Sequence, residues 1–265
     1  MRPGARAAGR GLPMLPDLSL ETVVLAAFLA FCRIGSCFML MPGFSSMRVA
    51  VHVRLFVSAA VTWALLAHLW DEIVPSVGLG TGALLLLIAS EVLIGSTIGL
   101  VTRFYVLALQ FATSVVAMTG GYGGMAGSSV DEMEPQAPIA VIITTCALLL
   151  LFALDFHHDI LKALVASYQV APVGGLFDAQ GALIDITDTL SQSFYLTLRL
   201  VSPFIAYGIL ANLALGFVNK LAPQIPVYFV SLPFIIAGCL ILLYFGIGIM
   251  LSLFGDGFLP TTLGR

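Results

Sequence analysis

Charge is what this sequence has least of. Only 9% of its 265 residues are Asp, Glu, Lys or Arg, against 60% hydrophobic residues, whereas soluble domains carry about 25% charged residues. A water-facing surface cannot be built from so few charges, so membrane lipid or other apolar protein must solvate most of it. The net charge is only −3, and no basic stripe of the kind that a phosphate backbone demands is present, which excludes nucleic acid as a partner. There is no GxxxxGK[ST] loop for a nucleotide and no GxSxG or other nucleophile motif. The chain therefore reads as a protein without covalent chemistry and with no cofactor. Cysteine is sparse. Cys32, Cys37, Cys146 and Cys239 form no CxxC pair, and they lie inside long apolar runs. They read as small core hydrophobes, not as a disulfide framework or a metal site. The strict alternation of an outer-membrane barrel strand is missing as well.

What the chain has instead is long apolar runs, with a mean hydropathy of +1.07. Six stretches stand out, at 18–42, 49–70, 81–119, 137–170, 184–222 and 227–254. A membrane span needs about 20 residues, and the third, fourth and fifth stretches are far longer, so they must tilt, kink or project beyond the bilayer. Breakers at Pro42-Gly43, Pro75, Pro135, Pro138, Pro172 and Pro223 punctuate the runs into helical hairpins. The fold expected is all-α: a multi-pass integral membrane protein of long helical hairpins. Residues 1–16, rich in Arg, Gly and Pro, read as a disordered N-terminal tail, 17–258 as the helical membrane domain, and 259–265 as a short C-terminal tail. Arg2, Arg6 and Arg10 imitate a signal-peptide start, but Asp17 and Glu21 intervene and no small-residue cleavage site follows. They favour a cytoplasmic N-terminus, and Met14, just ahead of the helical pattern, is an alternative first residue.

A charge at the bilayer centre costs about 3 kcal/mol, so Arg33, Arg54, Glu91, Arg103, Lys162, Arg199 and Lys220 must face protein or water. They serve either a proton or ion relay or interhelical pairing and assembly. A relay calls for acids in the middle of several runs, and only Glu91 sits deep, which favours pairing. Glu91, Gly95 and Gly99 are spaced by four and share one helix face. Small residues there let a second backbone approach closely, and Glu91 can then hydrogen-bond into that partner. If packing is the role, Glu91→Gln is expected to be mild. His157 and His158 are adjacent, so they point to different faces of a helix. With Asp155 and Asp159 they read as a polar helix end. Residues 120–136 differ from everything around them: Gly120, Gly121, Gly123, Gly124 and Gly127 put five glycines in eight residues, which forbids a regular helix. This segment is either a plain connector or a re-entrant segment lining an aqueous cavity, with Met118, Met125 and Met133 supplying soft contacts.

Taken in order, several segments resemble the FliR/SctT family of export-gate subunits of type III secretion machines. They are Arg33 with the helix ending in Met41-Pro42-Gly43-Phe44, followed by Arg48 and Arg54; Glu91-x-x-x-Gly95-x-x-x-Gly99; Asp155-Phe-His-His158 through Lys162 to Ser167-Tyr168 and Pro172; and Pro203 followed by Leu215-Gly216-Phe-Val-Asn-Lys220-Leu-Ala-Pro223-Gln224 and Pro233. The resemblance implies a helical, closed channel shared with FliP-like and FliQ-like subunits and an FlhB-like subunit. It passes unfolded export substrates across the bacterial inner membrane at the flagellar basal body. Arg33, Arg54, Glu91, Gly95, Gly99, Arg199, Lys220, Pro223 and Gln224 then serve helix packing and assembly. The family also implies a pore plug, whose position here is Gly120, Gly121, Tyr122, Gly123, Gly124, Met125 and Gly127. A virulence-type system is the nearest alternative; the lack of a long polar C-terminal tail tilts the reading to the flagellar one. A small-solute transporter would show inverted repeats and several midplane acids, and neither is found.

Overall fold

The computed structural model describes residues 19–45, 49–76, 81–122, 137–175, 177–224 and 226–263. The expected tail at 1–16, Arg48, and Gly123, Gly124, Met125 and Gly127 of the expected plug lie outside them. Among the described residues, seven α-helices follow one another: α1 (Leu20–Leu40), α2 (Val51–Ile73), α3 (Thr81–Thr119), α4 (Pro138–Ala153), α5 (Phe156–Val170), α6 (Ala179–Leu221) and α7 (Val227–Leu263). No strand occurs among the described residues; Val173 and Gly175 form an isolated bridge. Among the described residues, five helices, α1, α2, α3, α6 and α7, are long and apolar enough to cross a membrane, and the bent pair α4–α5 adds a sixth if it counts as one span. The protein is an all-α, multi-pass membrane protein.

The helices start and stop for local reasons. Ser19 caps α1 by accepting from the Thr22 backbone N–H at 3.2 Å, which satisfies one of the orphan donors of the first turn. Pro138 opens α4, where its missing N–H costs nothing. Asp178 caps α6, its Oδ1 accepting from the backbone N–H groups of Gln180 and Gly181 at 3.1 and 3.0 Å. That cap starts α6 five residues ahead of the apolar run, because a capped first turn tolerates polar residues.

One reading of the apolar runs is corrected and another holds. The run 137–170 is not one long segment: α4 and α5 bend by 61° at Asp155, which holds φ +57° without being glycine. The run 184–222 carries Pro203 and yet continues as one 43-residue helix. Pro203 cannot donate to the Arg199 carbonyl one turn back, and the Ser202 hydroxyl donates to that oxygen instead at 3.1 Å, a common repair in membrane helices. At 1.5 Å per residue, α3 and α6 extend roughly 58 and 64 Å, about twice the hydrocarbon thickness. The last helix runs on through 259–263 to Leu263, so no helix end marks the boundary expected at 258.

Helix α3 is the central element. It packs on α1 along one side and α6 along another, and it touches α4 and α7. The main core gathers Leu29, Ile34 and Phe38 of α1, Tyr105 and Leu109 of α3, Ile143 and Leu151 of α4, and Phe156 and Leu164 of α5. A smaller cluster of Val116, Phe204 and Cys239 joins the far end of α3 to α6 and α7. Backbones come close there too. Tyr207 donates to the Ile235 carbonyl at 2.9 Å while its ring lies over Gly238.

α3 ends in a Schellman turn. The Gly121 N–H donates to the Met118 carbonyl at 3.3 Å and the Tyr122 N–H to the Ala117 carbonyl at 2.9 Å, with Gly121 at φ +79°. A side chain at Gly121 would be strained by that backbone and would also press on Leu232 at 3.3 Å. Gly121→Ala is therefore expected to cost about 1 kcal/mol, read as a lower thermal midpoint of the detergent-purified protein. An unchanged midpoint would show that the turn does not hold the end of α3.

Candidate functional site

Helices α1 and α3 meet backbone to backbone. A Cβ built on Gly95 would overlap the Arg33 carbonyl oxygen and the Ser36 hydroxyl, and one on Gly99 would lie 2.8 Å from the Cys37 carbonyl oxygen and 2.9 Å from Leu40 Cβ. No real side chain tolerates such distances, so only glycine permits this approach. One turn before Gly95, Glu91 faces the same helix.

Arg33 sits in the middle of the buried stripe of α1 that runs through Ala26, Leu29, Ala30, Ile34 and Cys37. It is fully buried and Glu91 is 1% exposed. The two form a bidentate pair: Nε donates to Glu91 Oε2 at 2.6 Å and Nη2 to Oε1 at 2.8 Å. The rest of the guanidinium is taken up by α5 and the turn after it. Nη1 donates to Ser167 Oγ at 3.1 Å, Nη2 donates to the Ala171 carbonyl at 2.9 Å, and the Tyr168 ring lies 3.9 Å beneath Cζ. Four of the five N–H donors of the side chain are thus spent within the chain. A buried ion pair offsets its desolvation only with such complete geometry. The planar fork that meets a carboxylate bidentately while stacking on a ring is particular to arginine.

Of the assembly residues singled out in the sequence, Arg33, Glu91, Gly95 and Gly99 come together at this one crossing. The others do not. Arg54 is half-buried at the start of α2, where its Nε donates to the Val49 carbonyl at 3.1 Å. Arg199, Lys220, Pro223 and Gln224 are exposed along α6 and the turn that follows. Arg199 and Lys220 are 21 residues apart on one helix, roughly 32 Å, so no single site contains both. Lys162 pairs with Asp159 at 3.0 Å on the surface of α5. Of the expected plug, Gly120, Gly121 and Tyr122 form the capped end of α3, and Tyr122 packs against the core.

Sequence reasoning left Ser167, Tyr168 and Ala171 out of the site. Ser167 and Tyr168 stood in a motif, but nothing in their spacing ties them to Arg33, more than 130 residues earlier. The two histidines also behave differently from expectation. They do not diverge: His157 Nε2 lies 4.0 Å and His158 Nδ1 3.5 Å from Asp155 Oδ1, because Asp155 turns back over the first turn of α5 from its left-handed backbone. All three are at least partly exposed at the α4–α5 bend.

The bidentate geometry changes the expectation for Glu91→Gln. An amide offers one acceptor oxygen and no charge, which leaves a fully buried guanidinium uncompensated. Removing one partner of a buried pair costs about 3–5 kcal/mol, so Glu91→Gln is expected to lower the amount of intact protein in the membrane sharply. Gly95→Ala is expected to do the same through steric overlap, whereas Gly82→Ala, with nothing within 4 Å of the added carbon, is neutral. Near-normal levels of Glu91→Gln protein would show that the pair does not hold the fold.

The model of "Bacterial export proteins, family 1" matches residues 24–260. Among curated relatives, the flagellar biosynthetic protein FliR of Caulobacter vibrioides is 32% identical over 212 residues, covering 79% of this chain and 83% of its own. The flagellar biosynthetic protein FliR of Bacillus subtilis is 30% identical over 224 residues, covering 82% and 84%. The Yop proteins translocation protein T of Yersinia pestis is 24% identical over 238 residues, covering 87% and 89%. The crossing of α1 and α3, the bent pair α4–α5 that completes the Arg33 site, the long α6 and nearly all of α7 fall inside the matched residues, and the chain belongs to bacterial export protein family 1.

Proposed function

We propose that this protein is a subunit of the export gate of a type III secretion machine, part of a closed helical channel that passes unfolded proteins across the bacterial inner membrane. The observation that carries the reading is the family match across residues 24–260. The geometry supports it. α3 and α6, near 60 Å, reach well beyond a bilayer, and large apolar side chains stand outward on α6 and α7, among them Leu210, Phe217, Phe234 and Tyr244. Arg199 and Lys220 interrupt that apolar surface. A surface that mixes bare aromatics with cations suits contact with other helices better than contact with lipid tails alone. FliP-like, FliQ-like and FlhB-like subunits are the partners this reading calls for. Relatives named for the flagellum at 32% and 30% identity, against 24% for the Yop protein, favour a place in the flagellar basal body.

Within this reading, residues 120–127 plug the idle pore. A channel that admits an unfolded chain must hold back ions when empty, and glycine lets a segment yield at little steric cost. Gly121 and Tyr122 belong to the anchored end of α3, so the plug proper begins at Gly123.

Two outcomes are expected. Co-expression with FliP-like and FliQ-like subunits yields a stable complex, and deleting the gene abolishes motility and export until a copy is restored; a chain that stays monodisperse and ignores those subunits overturns the reading. Deleting residues 123–127 leaves the complex intact but makes the membrane leaky, read as conductance and as growth on high salt. A tight membrane with normal motility would reduce the segment to a connector.

A further inference from the structure

A groove of about 870 Å³ opens between α3, α5 and the first turns of α6. Its floor is apolar, built from Ile94, Ile98 and Val101 of α3 and Ala163 and Ala166 of α5. Small residues on the α5 side keep it wide. Side chains of a helix, itself about 10 Å across, suit a groove of this kind between helices.

The rim is acidic. Asp178, which caps α6, and Asp185 and Asp188 of α6 line it, and among the described residues the cation on the opposite wall is Lys162, already engaged by Asp159 at 3.0 Å. Asp178 is accounted for by the helix start that it caps. Asp185 is not: it stands exposed two turns into α6, beyond the reach of the terminal dipole. An apolar floor with a polar, charged rim is the anatomy of a protein interface. The sign of the rim selects against the phosphates of membrane lipid.

We propose that this groove seats a helix of a neighbouring gate subunit, and that a lysine or arginine on that helix pairs with Asp185 while Asp178 and Asp188 add to the attracting field. The proposal rests on the export-gate reading and names the surface by which this chain meets a partner. It also gives the groove a link to the core, since Ser167 and Ala171 line the groove and bind Arg33. The seated helix would bear on the same turn that holds the α1–α3 crossing.

The test uses the full complex with FliP-like and FliQ-like subunits. A photo-reactive benzoylphenylalanine replaces Ala163 on the groove floor, and the cross-linked product is identified by mass spectrometry. The expected product is a covalent adduct with a helix of one of those subunits. Asp185→Lys should cut the yield on the order of tenfold, the weight of about 1.4 kcal/mol, and Asp185→Asn less. Reversing the charge of the captured basic residue should restore the adduct in the Asp185→Lys background, which a merely misfolded variant would not allow. A complex that purifies normally while the probe labels only lipid, or nothing, overturns the groove proposal and leaves the export-gate reading standing, as does an adduct indifferent to Asp185→Lys. If no complex forms with the unaltered chain, both readings fall.

Discussion

Everything in this structure turns on how a guanidinium is kept in an apolar interior. Arg33 has no exposure to water, and a charge so placed must be matched in sign, in number of donors and in plane. Glu91 matches sign and plane; Ser167, Ala171 and Tyr168 supply the remainder. Because those groups come from α1, α3, and α5 with its following turn, satisfying one side chain fixes three elements against each other. The hydrophobic effect cannot do that in a membrane, where lipid is as apolar as leucine, so helix association relies on close packing and polar pairing. Gly95 and Gly99 provide the first and Arg33 with Glu91 the second, within two turns of the same helix.

The part of this site that could be read from the sequence is the part that is local. Glu91, Gly95 and Gly99 share a face because the helical period is close to four, and nothing more than spacing is needed to see it. Arg33 could be recognised as a charge needing a partner, but 58 residues separate it from Glu91, and pairing across that distance is decided by how α1 and α3 pack. The contributions of Ser167, Tyr168 and Ala171 were hidden by the bend at Asp155. A run that is continuously apolar from 137 to 153 carries no sign that the next helix departs by 61°. The left-handed backbone at Asp155 causes the bend, and an aspartate adopts it readily enough that composition gives no warning. Pro203 stays inside α6 because the neighbouring Ser202 hydroxyl takes up the Arg199 carbonyl that it leaves without a donor. The same bend draws His157 and His158 together over Asp155, where periodicity alone would have separated them.

The outward surface obeys a different logic from the crossing. On α2 the buried stripe starts with Ser58 and Thr62 and continues through Leu66 and Leu69, while Phe56 and Trp63 of the same helix stand outside. Polar side chains are turned inward because Ser and Thr hydroxyls satisfy themselves on backbone carbonyls, as Thr62 does on Ser58 at 2.7 Å. Aromatics are turned outward because no water awaits them there. In a soluble protein this inversion would be an aggregation hazard. In a membrane subunit it marks surface to be covered by lipid or by neighbours, and the charged positions along α6 separate the two.

A gate must combine a frame that does not yield with a segment that does. The frame here is anchored twice along α3, at the Gly95–Gly99 crossing and again at the Gly120–Gly121 turn, where a Cβ on Gly120 would press into the Cys239 side chain and one on Gly121 would touch Leu232 and Ile236 of α7. Between those anchors lie about 20 residues of uninterrupted helix, roughly 30 Å, which behave as one rigid rod. The glycine-rich segment therefore leaves from a point whose position is set by α1, α6 and α7 together, through packed backbone. Its first two glycines, Gly120 and Gly121, are spent on ending the helix against α7. Under the plug proposal, so firm a root lets the segment yield to a passing chain without disturbing the wall. The abrupt change at residue 122, from a tightly packed rod to a glycine-rich sequence, is what such a device requires.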